Sequence, residues 1–177
     1  MTDSTQLELM DFIRDIPDFP KPGILYRDIT PLLASPAAFG ESIRRFADNY
    51  RDRQVDAVVA AEARGFIFAA PLALELNAGF VPIRKPGKLP FETHAFHYEL
   101  EYGQDTLEMH VDGVTRDQRV LVVDDLLATG GTVDACCNLL EKTGATVIGC
   151  AFLVELKSLQ GADRIAPFET FSLIQYE

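Results

Sequence analysis

The stretch VLVVDDLLATGGT, residues 120–132, constrains the fold of this chain more tightly than any other. Val120 to Val123 make an apolar run too short for a helix and rich in β-branched side chains, the pattern of a central parallel strand buried on both faces. Asp124 and Asp125 are placed at its carboxyl end. Ala128, Thr129, Gly130, Gly131 and Thr132 then supply small residues and hydroxyls ahead of VDACCNLLEKTGA, where Val133, Cys136, Cys137 and Leu140 recur at helical spacing. A strand, a glycine turn and a helix start in that order make an anion site. Amides of the turn and of the first helical turn converge, and the helix dipole favours negative charge there.

The same loop excludes two nucleotide sites. No Lys follows its glycines, as the GxxxxGK[ST] triphosphate loop requires, and the spacing is not the GxGxxG dinucleotide fingerprint. A monophosphate fits. The two carboxylates can accept hydrogen bonds from vicinal hydroxyls or stand in the outer shell of Mg2+. Together these features describe a ribose 5-phosphate pocket.

The order of elements predicts an α/β fold with a mostly parallel central sheet flanked by helices, in one domain spanning 1–177. A helix over about 4–14 precedes a Pro-rich loop from Ile16 to Pro31, so that about 1–34 forms an amino-terminal hood. A helix near 36–53 leads to the strand VDAVVAA, a helix near 66–77 and the strand FVPI. Residues 93–111 alternate polar with apolar or aromatic side chains, which predicts an antiparallel flap protruding over about 90–111. TVIGCAFLVEL and ETFSLIQ read as further strands. Ligands in open α/β sheets sit outside the carboxyl ends of the strands, where the loops after VDAVVAAE, after FVPI and after the acid pair would converge.

Charge narrows the partners. Sixteen basic against 27 acidic residues give a net charge of −11, which opposes binding to nucleic acid or to an anionic membrane. Against that background Arg84, Lys85 and Lys88 in IRKPGK form the densest basic cluster. Cys136, Cys137 and Cys150 lack metal-ligand spacing and read as buried hydrophobes in a reducing compartment, and no apolar run reaches membrane-spanning length. A cytoplasmic protein is expected.

VLVVDDLLATGGT resembles the phosphoribosyl diphosphate signature of the type I phosphoribosyltransferases, and its LLATGGT ending is most similar to their adenine-using members. IPDFPKPGILYRDITPLL at 16–33, AAEARGFIFAAPLA at 60–73, IRKPGKLP at 83–90 and LEYGQDTLEMH at 100–110 resemble the same proteins in the same order. The resemblance implies transfer of a phosphoribosyl group from phosphoribosyl diphosphate to adenine with Mg2+ carried by substrate and water, no metal being held directly by the protein, and it implies a homodimer. It assigns Asp124 and Asp125 to the ribose hydroxyls and to developing positive charge, and residues 128–132 to the 5-phosphate. Arg64 and Gly65, with Lys88 and the neighbouring Arg84 and Lys85, would grip the leaving diphosphate, in a turn that often carries a strained peptide bond. Leu25, Tyr26 and Arg27 would bind adenine, the ring of Tyr26 by stacking and the backbone near Leu25 and Arg27 by reading the base edge. Glu101 and Tyr102 would act in the flap as proton-transfer group and lid. Three positions depart from the usual pattern: Ala63 stands for a common Ser, Ala69 for Gly and Tyr26 for Phe. A 6-oxopurine acceptor is disfavoured by the FPKPGILYRDIT segment. A non-catalytic sensor of phosphoribosyl diphosphate is disfavoured by the absence of a basic face or an added DNA-binding module.

Overall fold

The computed structural model describes residues 7–100 and 103–177. A 3-10 turn at Leu9–Phe12 opens the described chain and leads into a small antiparallel pair, β1 (Arg14–Pro17) and β2 (Leu25–Asp28). Two helices follow, α1 (Thr30–Ala34) and α2 (Pro36–Tyr50). Then come β3 (Ala57–Ala61), α3 (Gly65–Glu75), β4 (Gly79–Ile83), and the hairpin β5 (Thr93–Leu100) with β6 (Gly103–His110). The remainder is β7 (Arg119–Leu127), α4 (Gly131–Thr143), β8 (Thr146–Leu156), α5 (Gly161–Arg164) and β9 (Thr170–Tyr176).

Five strands form one parallel sheet in the order β4-β3-β7-β8-β9, so the VLVV run lies at its centre. Strand alternation divides that run between two cores. Val120 and Val122 pack with Val133, Cys136, Leu139 and Leu140 of α4 on one face. Leu121 and Val123 pack on the other with Phe46 and Ala47 of α2 and with Phe68 and Leu72 of α3. All four valine and leucine side chains are fully buried, each contributing about 1.5–3 kcal/mol of hydrophobic stabilisation. Both faces of the sheet are therefore covered, as a parallel sheet requires.

The helices begin and end where local chemistry allows. Ser35 caps α2 by accepting from the amide of Ala38 at 3.3 Å, and Pro36 occupies the first turn, where its missing N–H costs nothing. Gly130 at φ 78° and Gly144 at φ 81° bracket α4 in left-handed conformations that suit glycine.

Three expectations are corrected. The helix proposed over about 4–14 is, in its described part, a 3-10 turn followed by β1. The Pro-rich loop contains β2 and the start of α1. Pairing decides this: β1 lies antiparallel to β2 with Asp15 opposite Arg27 and Arg14 opposite Asp28, oppositely charged partners separated in sequence by a turn. The third correction is that the acid pair does not follow its strand. β7 runs on to Leu127, so Asp124 and Asp125 are strand residues. The hairpin β5–β6 is the expected antiparallel flap, but its base is packed: Leu107 and Met109 are buried, and Phe96 and Tyr98 lean on the α4 side of the core.

Candidate active site

The partners of β7 differ in length, and that difference opens the site. β3 accompanies β7 only as far as Val122, opposite Val59, whereas β8 follows it to Leu127, opposite Glu155. The last part of β7 is thus uncovered on one side. The turn between β3 and α3 enters this gap and brings Arg64 and Gly65 beside the acid pair. A Cβ on Gly65 would lie 2.9 Å from Asp124 Oδ1 and 3.0 Å from the carbonyl of Val123, so glycine alone permits this approach. The Glu62–Ala63 peptide in the same turn is cis.

Asp124 keeps partial access to solvent through the cavity but is otherwise surrounded by protein. Burial, reinforced by the charge of Asp125, pushes its carboxyl up to about 8. Its Oδ1 accepts from the amide of Asp125 at 2.9 Å. Asp125 is 6% exposed and is neutralised by Arg64, whose Nε donates to its Oδ2 at 2.6 Å. Arg64 Nη1 also donates to the hydroxyl of Tyr26 at 3.2 Å.

A polar cavity of about 220 Å3 lies over this pair, lined by Arg64, Asp124, Asp125 and the whole turn from Leu126 to Val133. The first bond of the α4 ladder runs from the amide of Asp134 to the carbonyl of Gly130 at 2.9 Å, which leaves the amides of Gly131, Thr132 and Val133 ahead of the ladder. They supply the positive end of a helix to an anion. The turn is braced from behind by α5: a Cβ on Gly130 would meet the carbonyl of Gly161 at 2.7 Å, and a Cβ on Gly161 would meet that of Ala128 at 2.2 Å.

A second, mostly apolar cavity of about 120 Å3 adjoins it, lined by Leu25, Tyr26, Arg27, Ile29, Val154 and Leu156 among others. Arg64, Asp125 and Leu126 line both cavities and mark the seam between them. The guanidinium of Arg27 turns away, pairing with Asp15 and lying 3.7 Å from the ring centre of Tyr176, so Arg27 can offer only its backbone to a ligand. The ring of Phe19 stands edge-on to Tyr26 at 5.1 Å and fixes its plane.

The structure therefore brings together Leu25, Tyr26, Arg27, Arg64, Gly65, Asp124, Asp125 and residues 128–132. Arg84, Lys85 and Lys88 line neither cavity. The amide of Lys85 donates to Glu62 at 2.6 Å and its ammonium pairs with Asp105 at 3.4 Å, while Arg84 reaches Glu62 at 3.4 Å and the carbonyl of Lys88 at 3.3 Å. The Lys85 amide and the Arg84 guanidinium together hold the carboxyl of Glu62 below the usual range. Glu101 and Tyr102 lie outside the described residues. Among the described residues no three His, Cys, Asp or Glu side chains gather as a metal cage, and no helix is long and apolar enough to cross a membrane.

Sequence reasoning missed Ile29, Leu126, Val154 and Leu156 as cavity walls, and Gly161 as the brace. A signal for Val154 and Leu156 existed: they close the strand TVIGCAFLVEL, and the carboxyl ends of parallel strands share one side of the sheet. Nothing local marks Gly161.

An acid pair on a central parallel strand, followed by a glycine turn into a helix amino terminus and flanked by a second cavity, is an arrangement for holding a phosphorylated sugar beside an acceptor. The phosphoribosyl transferase domain family matches residues 29–177, and the chain belongs to this family, with its type I fold. Within it, the similarity runs to adenine phosphoribosyltransferases. That of Rhodopirellula baltica is 60% identical over 170 residues, covering 96% of this chain and 82% of that protein. That of Maridesulfovibrio salexigens is 56% identical, covering 96% of this chain and 99% of the other. The crystal structure of the Thermoanaerobacter pseudethanolicus enzyme superposes with a TM-score of 0.91 at 51% identity, covering 95% of this chain and 98% of that one. The Saccharomyces cerevisiae enzyme, complexed with an imino-altritol bisphosphate and adenine, gives 0.88 at 36% identity, with 93% and 96% covered.

Proposed function

We infer that this chain is a purine-salvage enzyme that transfers the 5-phosphoribosyl group of phosphoribosyl diphosphate to adenine, giving AMP and diphosphate. The observation that supports it best is the pair of adjoining cavities joined at Arg64, Asp125 and Leu126, one built for an anionic sugar and the other for a flat apolar ring. In this reading, the bond from carbon 1 of the sugar to the diphosphate oxygen breaks while a base nitrogen bonds to that carbon. The electron pair leaves with diphosphate.

The residues divide the work by position. The turn 128–132 and the start of α4 hold the 5-phosphate. Asp124 and Asp125 accept from the ribose hydroxyls, and the carboxylate of Asp125 offsets the positive charge that grows on the sugar as the leaving group departs, joined by that of Asp124 where it is ionised. Arg64 serves the diphosphate with Gly65 beside it, and Arg84, Lys85 and Lys88 are assigned to the same group from the neighbouring loop. Tyr26 stacks on adenine, while backbone groups near Leu25 and Arg27 read its edge. Glu101 is assigned proton transfer with the base, and Tyr102 closure over the reaction centre, which would keep water from a reactive sugar cation.

Mg2+ suits this donor set. Asp124 and Asp125 are hard oxygen donors but too few for a cage, which fits an ion that keeps its waters and arrives on substrate oxygens. When bound, it would neutralise charge on the leaving diphosphate.

The working unit is a homodimer in this reading. α3 is apolar on nearly every side and leaves Leu74 84% exposed, and Ile67 on the same helix and Phe80 on β4 are each 36% exposed. A second copy covering this surface would pack on the helix that the Arg64 turn starts. Cys136, Cys137 and Cys150 are free, buried thiols, which suits a reducing cytoplasm.

The test is AMP formation from phosphoribosyl diphosphate and Mg2+ with adenine, hypoxanthine, guanine or xanthine supplied separately. Adenine alone should be converted. Turnover of an oxopurine would overturn the reading of the apolar cavity, and binding without turnover would overturn the enzyme.

A further inference from the structure

We propose that the hydroxyl of Tyr26 serves the sugar-diphosphate substrate rather than the base, as a positioning group that holds Arg64 at the seam between the two cavities. This deepens the transferase reading above and rests on it. The argument starts from Arg64, whose side chain is 49% exposed and would, on one anchor, sample many rotamers. It has two anchors. Nε donates to Asp125 Oδ2 at 2.6 Å and Nη1 donates to the Tyr26 hydroxyl at 3.2 Å. Because the guanidinium is a rigid planar fork, two fixed contacts set both its position and its plane.

Each anchor is itself held. Asp125 is a buried residue of the central strand. Tyr26 lies on β2 opposite Ile16 of β1, with Phe19 edge-on against its ring. The arginine thus spans from the floor of the sugar site to the wall of the base site, and Arg64 and Asp125 line both cavities. Stacking on adenine needs only the ring of Tyr26. The hydroxyl, spent on Arg64, adds nothing to that face. Its effect falls on an anion that finds the guanidinium already in place, without first having to order it.

Tyr26→Phe isolates the hydroxyl because ring and stacking surface are kept. Initial rates with each substrate varied in turn should show the KM for phosphoribosyl diphosphate rising about three- to tenfold, the reach of one solvent-exposed hydrogen bond, with the KM for adenine unchanged. Calorimetric titration with phosphoribosyl diphosphate and Mg2+ should show the same loss of affinity without turnover. Arg64→Lys cannot bridge both oxygens as a fork, so in that background Tyr26→Phe should have no further effect. A rise in the adenine KM, an unchanged phosphoribosyl diphosphate KM, or an effect that persists beside Arg64→Lys would each overturn the proposal. A wild-type protein that forms no AMP would overturn the transferase reading first, and this proposal with it.

Discussion

Asp124 is the residue where stability and function oppose each other. Its carboxyl sits at the floor of the sugar cavity beside a second carboxylate, and burial with that neighbouring charge raises it to about 8 from an ordinary 3.8. A group raised in the folded state binds its proton more tightly there than in the unfolded chain. Its contribution is therefore intact below about pH 4 and is lost as pH rises through about 8. Asn in its place keeps the oxygen that accepts from the Asp125 amide and removes the titration. Asp124→Asn should raise the melting temperature over the parent by clearly more at pH 8.5 than at pH 5, since the loss builds up between about pH 4 and about pH 8 and about 1 kcal/mol moves a domain of this size by about 2–4 °C. Thermal melts at the two pH values check this, and equal shifts at both would remove the titration from the account. That the two acids mattered was legible in the sequence. Which one is paired was not, because Arg64 reaches Asp125 from a turn 61 residues away.

At the scale of elements, the phosphate turn depends on a short helix that no pattern announces. α5 is four residues long, GADR, too short for a period, and it follows a strand end and a 3-10 turn. Its first residue packs backbone to backbone on the turn: a Cβ at Gly161 would stand 2.2 Å from the Ala128 carbonyl and 2.9 Å from Leu127 Cδ1. Gly161→Ala must displace one of the two segments. Because a misplacement of about 1 Å can cost on the order of a hundredfold, the KM for phosphoribosyl diphosphate should rise about ten- to a hundredfold. The adenine KM should move far less, since neither segment except Leu126 borders that cavity. Initial rates with each substrate varied in turn separate the two. The strongly periodic elements, α2, β8 and β9, were legible within a few residues because an apolar stripe or run is a local property. β1 and β2 were not, because a four-residue strand is defined by its partner.

For the whole molecule, the proposed dimer rests on the exposed apolar surface of α3. Burying a leucine contributes about 1.5–3 kcal/mol, so Leu74→Glu, which also buries a charge, should weaken self-association by at least about tenfold. Sedimentation across a concentration series measures it. A parent protein that sediments as a monomer would refute the dimer. The layered α/β architecture could be read from the chain, because alternation and helical spacing state which faces are apolar, and so could the anion turn, because that chemistry is contiguous from Asp124 to Thr132. It took the packed fold to show that β7 outruns β3, that Arg64 fills the resulting gap, that Arg27 turns its side chain to Tyr176, and that Val154 and Leu156 wall the apolar cavity. Each of those depends on residues far apart in the chain meeting across the sheet, and that encounter is set by how the layers pack.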